Sequence, residues 1–270
     1  MKIVTSIRWK SFAAALALSL CGAIAHSAEE SDSITTDRPD FVESAKTVGK
    51  GRFQIETSIA RERNSDAGVK TTTFTTPTLL RYGVSPALEL RLESDGYTRQ
   101  RTVDTDALTE EVRRGGSDAS IGVKWAMQEG EGAVPAIGWL LHADLDTGAS
   151  AFRGEGLRPS LRTVLEWKLP ADFSLGVMPG VIYDKLNGDR FIAGILGVVV
   201  DKEWTDRFRT FVEVAAQSIT SSRHGGSVVT YDVGGAYLLT KNVQIDTLFA
   251  WGANRFSPDF AWTVGLSVRF

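Results

Sequence analysis

The stretch Phe260-Ala261-Trp262-Thr263-Val264-Gly265-Leu266-Ser267-Val268-Arg269-Phe270 ends the chain, and its reading decides the fold. Phe260, Trp262, Val264, Leu266, Val268 and Phe270 stand at alternate positions, with Ala261, Thr263, Gly265, Ser267 and Arg269 between them. A period of two is that of a β-strand, whose successive side chains point to opposite faces. One face is wholly apolar with aromatics at both ends, while the other is small or polar. A soluble sandwich also alternates in this way. An outward apolar band edged by aromatics around a polar interior is the order of faces in a membrane barrel.

Working back from that strand, the alternation continues almost to Arg52. Val243, Ile245, Thr247, Phe249 and Trp251 oppose Gln244, Asp246 and Leu248, and Val229, Tyr231, Val233 and Tyr237 oppose Asp232, Gly234 and Ala236. Leu88, Leu90 and Leu92 alternate with Glu89, Arg91 and Glu93. Charges separated by single leucines do not suit a dry core; they suit a wet lumen. Only Arg190 to Val200 is apolar on both faces, so its register cannot be read from the pattern. Pro159 removes a ladder donor and is expected at a strand end or bulge.

About twelve strands of ten or so residues result, the length needed to cross a bilayer at a tilt. Long or charged loops are expected at Thr98–Gly115, Thr147–Gly156 and Ser221–Ser227, alternating with mostly short turns. This is the sidedness of outer and periplasmic connections. Trp125, Trp139, Trp167, Trp204, Trp251 and Trp262 fall mostly near strand ends, as interfacial girdles do.

Hydrophobic residues make up 43% of the 270 residues. Beyond the first thirty, no apolar run reaches the length of a membrane helix, so any crossing is made by strands. Lys2, Arg8 and Lys10 precede the apolar run Phe12–Ile24, and small residues follow at Ala23–Ser27, the pattern of a cleaved secretory leader over residues 1–28. Cys21 is the one cysteine and lies within it, so the mature chain is expected to have neither thiol nor disulfide. Leu20 before that cysteine argues against lipid attachment. Without Lys2, Arg8 and Lys10 the 30 basic residues fall to 27 against 33 acidic ones, a balance that argues against a nucleic-acid partner.

Residues 29–51 follow neither period and read as an irregular arm before a barrel over 52–270. In it Asp37, Arg38, Asp40 and Glu43 crowd around Pro39 and Phe41. No strand-to-helix glycine loop or metal-ligand spacing is present, and no cofactor or metal is expected. Asp144-Leu145-Asp146-Thr147-Gly148 begins like a calcium loop but lacks the distal Glu.

Thr36-Asp37-Arg38-Pro39-Asp40-Phe41 with Glu43-Ser44, then Gln54-Ile55-Glu56, Thr76-Pro77, Leu79-Leu80-Arg81-Tyr82-Gly83 and Leu88-Glu89-Leu90-Arg91 resemble the MetA-pathway of phenol degradation family. The resemblance is dense from Thr36 to Leu92 and thinner beyond. It implies an outer-membrane barrel linked to uptake of aromatic or other hydrophobic compounds, with no agreed catalytic residues. Where the family has Pro-Thr-Gly near the end of the fifth strand, this chain departs from it with Asp146-Thr147-Gly148.

The expected lumen and gating residues are the arm's Asp37, Arg38, Asp40 and Glu43, the early group Glu56, Arg81, Glu89, Arg91 and Glu93, and the middle group His142, Asp144, Arg158, Arg162 and Glu166, with Asp146 and Lys168 beside it. Both signs occur on neighbouring strands, so pairing across strands is available. The arm reads equally as a disordered terminus or as an ordered, charge-paired segment; in the second reading it enters the lumen from the periplasmic side and pairs with Arg81 and Arg91 as a plug or gate. The barrel pattern leads to a passive channel in the outer membrane of a Gram-negative bacterium, and the family resemblance implies small hydrophobic or aromatic solutes. Membrane lipid and, through the strand ending at Phe270, the barrel-assembly machinery are its expected partners. A lipid-modifying enzyme would need a histidine beside a serine nucleophile on the lipid face, whereas His142 is expected to point inward near Asp144. A structural barrel without conductance is the third reading.

Overall fold

The computed structural model describes residues 33–270; the expected leader, Cys21 and the first residues of the arm lie outside them. The described chain is a single antiparallel sheet closed on itself. Its strand segments are β1 (Phe53–Asp66), β2 (Val69–Thr75), β3 (Thr78–Gly83), β4 (Leu88–Ser94), β5 (Tyr97–Asp104), β6 (Thr109–Gly116), β7 (Ala119–Gln128), β8 (Ala136–Asp144), β9 (Arg158–Leu169), β10 (Phe173–Leu186), β11 (Asp189–Thr205), β12 (Phe208–Ile219), β13 (Val228–Thr240), β14 (Val243–Gly252) and β15 (Phe260–Arg269). Three pairs of segments, β2 with β3, β4 with β5 and β6 with β7, are single strands interrupted by a kink, so the barrel has twelve strands. The closing strand β15 pairs with β1 from Gln54↔Arg269 to Arg63↔Phe260, which removes both edges.

The faces follow the alternation. Leu90, Leu92, Ile121, Leu141, Val181, Val212 and Val264 are exposed on the outside, while Gln54, Glu56, Arg81, Glu89, Lys124, His142 and Glu213 are buried on the inside. Trp125 lies directly opposite Trp139, and Trp167 donates to the carbonyl of Ala133 beside the turn that joins those strands. Trp251 and Trp262 sit towards the other end, on strands that leave and enter the loop after Gly252. By the convention that short turns face the periplasm, the first group marks the inner interface and the second the outer.

The kinks share one height. At Thr76-Pro77, proline removes an N–H, and its carbonyl accepts from the Ser58 amide at 3.0 Å. At Asp95-Gly96 the chain turns through a left-handed glycine whose added Cβ would stand 2.4 Å from the Thr76 carbonyl oxygen, so no other residue fits there. At Ser117-Asp118 the Ser117 amide bonds to the Gly96 carbonyl at 2.8 Å. Above these kinks, β2, β5, β6 and the end of β1 form a four-stranded extension.

That extension corrects the expected loop at Thr98–Gly115, which is a β-hairpin paired from Tyr97↔Gly116 to Asp104↔Thr109. Its second strand is exposed on both faces from Thr109 to Arg114, so no apolar alternation marked it. The ambiguous stretch Arg190–Val200 is β11, with Ala193, Ile195 and Val199 buried inside and Ile192 and Leu196 exposed outside. Its inward side is apolar because it faces the arm rather than water. Pro159 stands second in β9, at the strand end where a missing donor is tolerated.

Candidate functional site

Residues 33–52 enter the barrel at the turn end, cross its interior and return to the same rim. The Ile34 amide bonds to the Lys241 carbonyl at 2.7 Å on entry, and the Gly51 amide bonds to the Gly83 carbonyl at 2.7 Å on return. Ile34, Thr36, Asp37, Val42, Glu43, Ala45, Thr47 and Val48 are all buried. A buried segment without helix or strand must find partners for its backbone elsewhere.

The barrel wall supplies them with charges of the matching sign. Carboxylates accept the arm's amides: Glu56 from Asp37 at 3.0 Å, Glu213 from Phe41 at 2.9 Å and Val42 at 2.7 Å, Glu166 from Ala45 at 3.3 Å, and Glu89 from Val48 at 2.9 Å. Cations and amides donate to its carbonyls: Gln54 and Arg81 to Thr35, Arg209 to Arg38, Lys124 to Ser44, and Arg81 to Lys46. Hydrogen bonds with one charged partner are roughly twice as strong as neutral ones. The wall therefore specifies the arm's path through main-chain groups as well as side chains.

Asp37 is the ionic centre. Its Oδ2 lies 2.6 Å from Arg91 Nη1, 2.6 Å from Lys124 Nζ and 3.1 Å from Arg81 Nη1, and its Oδ1 accepts from the Ser44 amide at 2.9 Å. Arg81 also pairs with Glu56 at 2.7 Å and Glu89 at 2.8 Å, and Arg91 with Glu43 at 2.7 Å and Glu89 at 3.1 Å. Burial alone would raise the Asp37 carboxyl, but Arg81, Lys124 and Arg91 together outweigh it and hold the group well below the ordinary carboxylate range. Glu43 is lowered in the same way, its burial overcome chiefly by Arg91 and Lys124.

A second, apolar contact lies across the lumen. Val42 and Ala45 join Leu140, Val164, Met178, Val199, Phe211, Leu248 and Ala250 in one buried cluster, with Phe41 packed against it. The wall makes room with glycines. A Cβ on Gly176 would stand 3.0 Å from Val42 Cγ1, and one on Gly197 would stand 2.5 Å from Val42 Cγ2 and 3.0 Å from Phe41 Cδ1. On the same side Arg209 bridges Asp40 at 3.1 Å and Asp201 at 2.5 Å, and Arg38 Nε stands 4.0 Å from Asp246.

Above the arm, towards the loops, is a cavity of about 510 Å³ lined by charged and polar groups. Glu93, His142, Asp144, Arg158 and Arg162 line it, as do Asp118 and Phe152. Arg158 bridges Asp118 at 2.7 Å, Arg162 reaches down to Glu43 at 3.4 Å, Ser120 donates to Asp144, and His142 Nδ1 stands 3.7 Å from Glu93. Asp118 is pulled below its ordinary value: its partial burial is outweighed by the Arg158 hydrogen bond and the amides of Gly154 and Gly148.

The expected site residues thus divide by height. Asp37, Glu43, Glu56, Arg81, Glu89 and Arg91 form the ionic clamp on the arm, with Glu166 holding an arm amide beside it. Arg38 and Asp40 lie across the lumen, and Glu93, His142, Asp144, Arg158 and Arg162 stand above. Asp146 is exposed in the loop beyond β8, and Lys168 is exposed near the turn end of β9. Lys124, Glu213, Arg209 and Asp201 were missed. Each has the inward parity of its strand, which is the signal that could have found them.

Neither described histidine has the setting of a hydrolase. His142 faces inward with its ring over Gly122. His224 Nδ1 lies 3.3 Å from Ser221 Oγ, but in an exposed turn where its ring stacks on Phe191 at 4.1 Å.

A family model described as "Putative MetA-pathway of phenol degradation" matches residues 36–270. No curated protein matches the sequence. Among solved structures, an outer-membrane channel from Pseudomonas putida F1 superposes with a TM-score of 0.63 at 12% identity, covering 86% of this chain and 99% of that one. The KdgM porin in complex with disordered oligogalacturonate gives 0.50 at 10% identity, covering 81% and 99%. The transport unit of the autotransporter AIDA-I from Escherichia coli gives 0.50 at 15% identity, covering 81% and 89%. At these identities the likeness is one of fold.

Proposed function

The chain belongs to the MetA-pathway of phenol degradation family, and from that premise we propose that it is a passive channel of the Gram-negative outer membrane for small hydrophobic or aromatic molecules, closed at rest by its own N-terminal arm. In this reading residues 1–28 are a cleaved leader, 29–51 the arm and 52–270 the barrel, delivered to the membrane through the strand ending at Phe270. The observation that carries it is the combination of a closed barrel with an apolar exterior and an arm that crosses the lumen between matched charges. Permanent packing would need no such wall: a buried ion pair contributes little net stability over an apolar substitute. Its use here is to give the arm one seated position that ions and water can replace when it leaves.

The cavity above the arm is the receiving site in this proposal. Its walls are charged, with Phe152 as an aromatic contact, so the solutes it suits best are small rings carrying a polar group rather than bare hydrocarbons. No energy-coupling element is implied, and passage is diffusive.

Purified protein reconstituted in planar bilayers tests this. The wild type should conduct weakly or in brief openings, and deletion of residues 33–47 should give a large, sustained conductance. Liposome swelling with sugars and phenolic solutes then ranks the permeants. A folded barrel that stays silent with and without the arm would overturn the proposal in favour of a structural barrel, a reading that the filled lumen also supports. Lipid hydrolysis by the pure protein would favour an enzyme.

A further inference from the structure

The extension above the kinks separates its charges by face. Directly paired residues of an antiparallel sheet point the same way, so the register assigns each face without ambiguity. One row is Arg61, Phe74, Arg99 and Arg114; the next is Arg63, Thr72, Arg101 and Val112; the third is Ser65, Lys70, Val103 and Glu110. Six cations thus share a face with one acid. The opposite face carries Glu62, Asp66, Asp104 and Glu111 against Arg113 alone.

β1 fixes which face looks where. Gln54, Glu56, Ser58 and Ala60 point into the lumen, so Glu62 and Asp66 continue the inner side towards the channel mouth. Ile55 and Ile59 point to lipid, so Arg61 and Arg63 continue the lipid side upward. Trp262 stands directly opposite Arg61 and Phe260 opposite Arg63, and Ile59 lies below them opposite Val264. The cationic face therefore begins where the apolar band ends, at the level of the outer aromatics.

Arg61, Arg63, Lys70, Arg101 and Arg114 are exposed, and Arg99 is half-buried. Among the described residues, the ion pair formed on this face is that of Arg101 with Glu110, at 2.7 Å. With strands about 4.8 Å apart and about 6.7 Å between same-face neighbours along a strand, the cations cover roughly 14 by 14 Å. Such a patch can meet more than one phosphate at once.

We infer that this face binds the phosphorylated head groups of anionic glycolipid in the outer leaflet, the acyl chains lying against the apolar band below. Guanidinium groups match phosphate in planar, paired hydrogen bonds, which suits a face with five arginines and one lysine. Location decides between a lipid and a soluble anion: the cations adjoin the lipid side of the barrel, whereas the inner face towards its mouth carries carboxylates. The inference does not depend on conductance, only on the barrel standing in a membrane with its termini inside.

The test uses the full-length protein in detergent micelles, titrated with diphosphorylated lipid A and with the same lipid stripped of its phosphates. Wild type should prefer the phosphorylated lipid tenfold or more, and the preference should shrink with added salt. R61Q/R63Q/R99Q/R114Q should lose that preference while keeping the heat-shifted gel mobility of a folded barrel. The inner-face control E62Q/D104N should keep it. Equal binding of the two lipids by wild type would overturn the inference, as would wild-type binding by the folded quadruple variant. If the deacylated, soluble head group bound as tightly as the lipid, the face would be a site for free anions and the membrane assignment would fall.

Discussion

Replacing Asp37 with asparagine keeps the side chain's shape and removes the charge on which Arg81, Arg91 and Lys124 converge. The 2.6 Å contacts to Arg91 and Lys124 and the 3.1 Å contact to Arg81 lose their ionic partner inside a site closed to water. Breaking a buried pair costs about 3–5 kcal/mol. The lower figure applies here, since Arg81 keeps Glu56 and Glu89, Arg91 keeps Glu43 and Glu89, and Lys124 keeps the Ser44 carbonyl. About 3 kcal/mol corresponds to a rise of roughly a hundredfold in the population with the arm unseated. Asp37 lies outside every strand, so the barrel itself should melt as before. Two readouts apply in reconstituted D37N: protease cleavage of the arm from the periplasmic side, and open time in single-channel records. Both should increase together. A folded D37N barrel with wild-type cleavage and wild-type gating would refute the claim that this carboxylate holds the arm.

The same carboxylate sets a pH dependence. Its seated value lies below that of the free arm, so its contribution is fully present above the ordinary Asp range and is lost only as pH falls through the lower, seated value. The difference in arm cleavage between wild type and D37N should therefore be flat from pH 8 to about 5 and disappear only in stronger acid; a difference that vanished near pH 6 would contradict this. Gly197→Val should push Val42 and Phe41 off the wall, at about 1–3 kcal/mol of overpacking, and raise conductance without touching a charge. Leu90→Arg, on the lipid face between Tyr82 and Val123, should cost about 2–4 kcal/mol if near the midplane, read as a lower urea midpoint for folding into bilayers, while Leu90→Ile should be neutral. Removing Phe270, whose amide bonds to the Phe53 carbonyl at 2.8 Å and whose ring stacks on Phe53, should slow assembly in cells more than it lowers the stability of barrels folded in vitro.

The barrel was legible because lipid imposes one rule on every strand. Leu88-Glu89-Leu90-Arg91-Leu92 states that rule in five residues, and the closing pair of β1 with β15 follows once both ends obey it. Where the rule does not apply, the pattern was silent. Glu110–Arg114 is a paired strand exposed on both faces, so no contrast of polarity marks it. β11 is apolar inside as well as outside, because Val42 and Phe41 replace water against Gly197 and Val199. Residue parity placed Glu56, Arg81, Glu89 and Arg91 on one face, but the convergence on Asp37 depends on an arm without a period of its own. Likewise nothing in the sequence of Glu213 says that its partners are the main-chain amides of Phe41 and Val42.

The cavity over the arm carries a consequence for kinetics. At about 510 Å³ it falls in the range of roughly 300–1,000 Å³ that holds a single drug-sized guest. A solute of that size would occupy it alone, and the next must wait in the medium until the first has left. Flux would then level off as the outside concentration rises, so a saturating uptake curve would reflect one-at-a-time occupancy and would not by itself imply a pump.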